Sequence, residues 1–134
     1  MIEVFIDGGS RGNPGPAAIG VVARRADKRL FIINRTIGRA TNNVAEYSAL
    51  NAGLNEVGQH LESKGEEVKL LMDSELVVKQ MKGEYRVKNE DLKPLYARAI
   101  TKFNSFPCIS LSHVARSKNA DADKLVNHAL DNEY

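Results

Sequence analysis

The chain has 134 residues, 43% hydrophobic and 27% charged, an ordinary globular composition that excludes a disordered tail, a collagen-like chain and a disulfide scaffold. Nineteen Lys and Arg against seventeen Asp and Glu leave a formal charge of +2, too weak a bias for a protein that holds nucleic acid by charge alone. The single cysteine, Cys108, rules out an internal disulfide and a Cys-based zinc site. Its lone thiol, the absence of a basic leader before Asp7 and the shortness of every apolar run predict a cytoplasmic protein with residues 1–134 as one domain.

Ile2 to Ile6 is a short β-branched run closed by Asp7-Gly8-Gly9, and Ser10 to Pro16 is turn chemistry throughout. Ala17 to Arg24 and Leu30 to Ile37 are two more β-type runs joined by a short polar link, which predicts an antiparallel hairpin. After Thr41 the period changes: Tyr47, Leu50, Leu54, Val57 and Leu61 predict a long helix starting near Asn43. Val68 to Met72 is a strand ending in Asp73-Ser74. A short helix follows through Val77, Val78 and Met81, stopped by Gly83. A third helix carries Leu92, Leu95, Tyr96, Ala99 and Phe103, with Asn89 as its expected N-cap and Pro94 near its start. Cys108 to Val114 is the last strand, and Ala122, Leu125, Val126 and Ala129 mark a final helix capped by Asn119. The order β-β-β-α-β-α-α-β-α implies an α/β fold, a mixed sheet with helices on its faces.

Four carboxylates stand where acids are unusual. Asp7 and Asp73 close strands, Glu46 shares the helical stripe of Leu50 and Leu54, and Asp123 lies in the first turns of the last helix. Strand ends and helix N-termini of such a sheet converge in one crevice. Acids gathered there repel one another and need a cation. With no Cys pair, the all-oxygen set points to Mg²⁺ or Mn²⁺. Each acid also has a local explanation: Asp7 and Asp73 as turn formers, Glu46 in a capping box with Asn43, Asp121 and Asp123 on the helix dipole. Gly9, Gly12 and Gly15 recur after a strand, but no helix follows and no Lys-Ser/Thr ending is present, so the stretch reads as a turn and not a phosphate loop. From Lys79 to Lys102 seven bases face three acids, a pattern shared by a solvated surface and a phosphate-facing patch.

Asp7-Gly8-Gly9-Ser10-Arg11-Gly12-Asn13-Pro14-Gly15-Pro16, Thr41-Asn42-Asn43-Val44-Ala45-Glu46, Asp73-Ser74 and Ala122-Asp123-Lys124-Leu125 occur in the order seen in type 1 ribonuclease H, which the chain resembles along essentially its whole length. The resemblance implies a ribonuclease H-like fold, a five-stranded mixed sheet flanked by helices. It also implies an endonuclease that hydrolyses the RNA strand of RNA/DNA hybrids with two Mg²⁺ or Mn²⁺ ions, leaving 5′-phosphate and 3′-hydroxyl ends. Asp7, Glu46, Asp73 and Asp123 match the metal-binding acids, Asp7 as the bridging ligand. Asn13, Asn42 and Asn43 match residues that reach the minor groove, and Thr41 matches a contact to a DNA phosphate. Double-stranded RNA offers the same 2′-hydroxyls and stands as a second substrate of a monomeric enzyme.

The chain also departs from that pattern. Glu75 replaces a groove-facing Gln. The segment Gly83 to Asn89 leaves no room for a basic handle, and no hybrid-binding domain is expected before residue 1. The loop after His113 is too short for a mobile catalytic His, leaving Arg116 or Lys118 as its substitute. A duplex-binding module without activity and a DNA-directed nuclease share parts of the pattern. The presence of all four acids counts against the first, and the groove asparagines count against the second.

Overall fold

The computed structural model describes residues 1–133. Five strands, β1 (Ile2–Ser10), β2 (Gly15–Arg25), β3 (Lys28–Ala40), β4 (Val68–Met72) and β5 (Ile109–His113), form one sheet in the order β3-β2-β1-β4-β5. The β1–β2 and β2–β3 pairs are antiparallel, while β4 lies parallel to both β1 and β5. Helices α1 (Asn42–Val57), α2 (Glu75–Met81), α3 (Lys93–Asn104) and α4 (Ala120–Glu133) complete the α/β architecture, with a 3₁₀ turn over Arg116–Asn119 before α4. The family's five-stranded mixed sheet is therefore present.

Side-chain alternation along the strands decides what each face buries. Ile2, Val4 and Ile6 of β1, with Val68, Leu70 and Met72 of β4, pack with Leu50, Leu54 and Val57 of α1 in the main core. The opposite face is covered by α4, whose Val126, Ala129 and Leu130 close over Ala18 of β2. Because helices cover both faces, β2 is buried over most of its length. α3 sits outside α1, joined to it by a hydrogen bond of 3.1 Å from Asn51 Nδ2 to the Leu95 carbonyl.

Several boundaries differ from the sequence expectation. β1 does not stop at Asp7: it continues through Gly8 and Gly9 to Ser10, paired along that stretch with Gly20 to Ala17. Asn43 does not cap α1. Thr41 does, its Oγ1 accepting from Val44 N at 3.2 Å, because β3 runs on to Ala40 and leaves Thr41 as the last residue with extended backbone before the helix. The capping box with Glu46 is therefore not formed. Asn89 instead makes a turn one step earlier, its Oδ1 accepting from Asp91 N at 2.8 Å, and α3 starts at Lys93 with no side-chain cap. Asn119 is fully buried at the end of the 3₁₀ turn, where its side chain donates to a strand carbonyl and not to its own helix.

Candidate active site

The parallel register sets Ile6 opposite Met72, so the next residue of each chain, Asp7 and Asp73, leaves the same edge of the sheet on the α4 side. Two glycines let helices bring the other acids. Gly20 is the direct partner of Asp7 across the β1–β2 ladder. A Cβ there would lie 2.4 Å from the Ala122 carbonyl oxygen and 2.9 Å from Leu125 Cβ, so only glycine admits α4 at the depth that carries Asp123 to Asp7. On the other face a Cβ at Gly8 would lie 2.2 Å from the Ala45 carbonyl oxygen and 2.6 Å from Glu46 N. That close approach brings Glu46, in the first turns of α1, to the same edge.

The result is a cleft of about 180 Å³ lined by Asp7, Asp73, Asp123, Arg116 and Asn42, among others. Glu46 lies just behind it, buried, with Oε1 accepting from Asn42 Nδ2 at 3.1 Å. Burial, and then the charges of Asp73, Asp123 and Glu46 with a hydrogen bond to Asp123, push the Asp7 carboxyl up to about 8. Burial also lifts Glu46 to about 7, against hydrogen bonds from Ser74 and Asn42 that favour its ionised form. Gathered carboxylates oppose one another's ionisation, and a cation joining them would relieve that repulsion. The donor set is oxygen only, which suits a hard divalent ion. Among the described residues no three such side chains are drawn together into a ready ligand cage.

A family model described as reverse transcriptase-like matches residues 5–129. The chain is 46% identical over 132 residues to the bifunctional protein Rv2228c of Mycobacterium tuberculosis, covering 97% of this chain and 35% of that one. The solved N-terminal RNase H domain of Rv2228c superposes with a TM-score of 0.90 at 45% identity, with 97% and 98% of the two chains covered. RNase H1 of Halobacterium salinarum gives a TM-score of 0.90 at 41% identity over 97% of each chain. LC11-RNase H1, solved in complex with an RNA/DNA hybrid, gives 0.89 at 43% identity over 98% of this chain and 97% of that one. The chain belongs to the type 1 ribonuclease H family.

The chain spans about a third of the length of Rv2228c. In this member the asparagines of the family pattern form one network at the lip of the cleft. Asn13 Oδ1 accepts from Asn42 N at 3.1 Å, and Asn42 Oδ1 accepts from Ser10 N at 3.2 Å. The β1–β2 loop is thereby pinned to the start of α1, and Thr41 and Asn43 stand on either side of Asn42, both half-buried. Of the two bases after β5, Arg116 faces the cleft, its Nε 4.0 Å from Asp73 Oδ2 and its side chain 86% exposed. Lys118 lines a different depression beside Arg24 and Asp121. His113 ends β5, as its strand position implied. Glu75 is bound to Lys79 at 2.7 Å, so neither its carboxylate nor that ammonium is presented alone to the groove.

Sequence reasoning passed over Gly8, Gly20 and Asn119 as parts of the site. A glycine inside a buried strand pattern was the available signal for Gly20. Gly8 was masked by its resemblance to a turn, and Asn119 by its resemblance to a cap.

Proposed function

We propose that residues 1–134 are the catalytic unit of an endonuclease that hydrolyses the RNA strand of RNA/DNA hybrids. The observation that carries this reading is the convergence of Asp7, Asp73, Asp123 and Glu46 beside a lip made of Asn13 and Asn42. The hybrid-bound relative LC11-RNase H1 supports it.

Asp7, Glu46, Asp73 and Asp123 would hold two Mg²⁺ or Mn²⁺ ions. When bound, such ions ease deprotonation of the attacking water and stabilise charge on the departing 3′ oxygen. Attack on phosphorus breaks the P–O3′ bond, leaving a 5′-phosphate and a 3′-hydroxyl. Glu46 and Asp73 need to be ionised for this work, and Asn42 and Ser74 favour the charged form of Glu46 by hydrogen bonding. Asn13, Asn42 and Asn43 face the minor groove, where an amide can donate to a 2′-hydroxyl and accept from it. Thr41 accepts the helix cap bond through Oγ1 and keeps a hydroxyl proton for a DNA phosphate. Arg116, poised on Asp73, takes the place of the family's mobile histidine at the scissile phosphate. The exposed, unpaired thiol of Cys108 suits a reducing cytoplasm.

End-labelled hybrid, RNA/RNA, DNA/DNA and single-stranded RNA, each with Mg²⁺, Mn²⁺ or EDTA, test the proposal. Metal-dependent cleavage of the hybrid RNA strand, silenced by EDTA, is expected. Cleavage of RNA/RNA in Mn²⁺ would add the second substrate. An intact hybrid with both metals, or cleavage of DNA/DNA at a similar rate, would overturn the reading.

A further inference from the structure

The segment between β5 and α4 is tethered at both of its ends to the backbone that carries the acids. At its start Val114 N donates to the Met72 carbonyl at 2.8 Å, immediately before Asp73. At its end Asn119 Nδ2 donates to the Ile6 carbonyl at 2.8 Å, immediately before Asp7. Asn119 is fully buried, and its Oδ1 is the buried side-chain polar atom left without a partner among the described residues. An amide placed in the interior with one end unsatisfied costs stability of the order of a lost hydrogen bond. A side chain of that cost is suited to this place by the bond its other end makes.

That bond has a particular reach. The β1–β4 ladder ends at the Ile6–Met72 pair, so beyond it no strand partner on that side fixes Asp7 against Asp73. The Val114–Asn119 segment bridges the gap, carries Arg116 to 4.0 Å from Asp73, and leads straight into the helix of Asp123. Moving Asn119 off Ile6 would therefore shift Asp7, Arg116 and Asp123 relative to one another at once.

We propose that Asn119 is a positioning residue: its amide clamps the start of α4 onto β1 and sets the spacing of Asp7 and Asp123 for cation binding. The inference rests on the acids' being the cation site, and its test is read without substrate as well as with it. Asn119→Asp keeps the volume but presents no donor when ionised. Asn119→Ser shortens the reach and carries the same comparison should the Asp variant not fold. Val57→Ala, a buried truncation at the far end of α1, serves as a control for stability.

In calorimetric titration of the metal-free, substrate-free protein, the Asn119 variants should bind Mg²⁺ at least fivefold more weakly than wild type. Val57→Ala, chosen for a similar loss of Tm, should bind it normally. On hybrid, kcat should fall about tenfold with KM within twofold, and the half-saturating Mg²⁺ should rise in step. Normal Mg²⁺ affinity and kcat in a destabilised Asn119 variant would overturn the proposal and leave Asn119 a packing residue. A wild-type protein that binds Mg²⁺ but leaves hybrid intact would instead overturn the substrate reading and leave the positioning role measurable in the titration.

Discussion

At the scale of single residues the cleft is a store of repulsion. Asp7 is 8% exposed and faces three other acids, so neutralising it relieves the folded state of an unfavourable neighbourhood while removing a carboxylate proposed to hold the cations. Asp7→Asn should therefore abolish hydrolysis and raise Tm in metal-free buffer, both measurable on one preparation. The two acids of the last helix separate just as sharply. Asp123 lines the cleft, whereas Asp121 is turned away and bound to Arg24 at 3.0 Å. Two residues are about 200° apart on a helix, so both cannot serve one site. Asp123→Asn should cut kcat at least tenfold, about 1.4 kcal/mol of transition-state stabilisation, and Asp121→Asn should leave it within twofold in parallel steady-state assays. The helix phase behind this distinction is already present in the spacing of Asp123, Val126 and Leu130.

At the scale of elements, order and type could be read from the sequence because hydrophobic period distinguishes strand from helix locally. The ends could not. Thr41, Asn42 and Asn43 are all cap-capable residues, and the choice among them was made by β3 running to Ala40 and by Asn13 occupying Asn42 N. The Asn119 side chain meets a carbonyl 113 positions away, a bond that no local pattern encodes. The identity of the four acids was legible, but the means of gathering them was not, because close approach of a helix to a strand depends on what is missing from Gly8 and Gly20. Gly20→Ala puts a methyl group against the Ala122 carbonyl and Leu125. Such overpacking costs about 1–3 kcal/mol. The substitution should lower Tm and, by lifting α4 from the sheet, reduce kcat at least tenfold while leaving KM for hybrid nearly unchanged.

At the scale of the whole molecule, the end of the sheet remote from the acids is fastened separately. Arg25 holds Glu66 through two contacts of 2.7 and 2.8 Å and the His60 carbonyl at 2.9 Å, and Met1 N lies 3.5 Å from Glu66. The Arg25 guanidinium, with a backbone hydrogen bond, lowers the Glu66 carboxyl from 4.5 to about 2. A carboxyl lowered on folding stabilises above its unfolded value and loses that effect as pH falls through its folded one. Glu66→Gln should thus lower Tm at pH 7 without touching kcat, and thermal scans at decreasing pH should show the difference shrinking between 4.5 and about 2.

Binding of the duplex is expected to spread over a wider surface than the cleft. Lys79 and Lys93 are held by Glu75 and Glu90, whereas Lys82, Arg86 and Lys88 are exposed and make no ion pair among the described residues. KM for hybrid should rise steeply with salt, and Arg86→Ala should reduce the slope of log KM against log salt by about 0.9, the share of one phosphate contact. The order of the acids along the chain has a last consequence, for biosynthesis. Asp7, Glu46 and Asp73 are all translated before α4, the helix that completes their cleft. Until α4 docks, Ala18 and its neighbours on that face lie bare. A nascent or truncated polypeptide that stops short of α4 therefore carries three of the acids without the fourth, and the proposed activity should be absent until α4 folds into place.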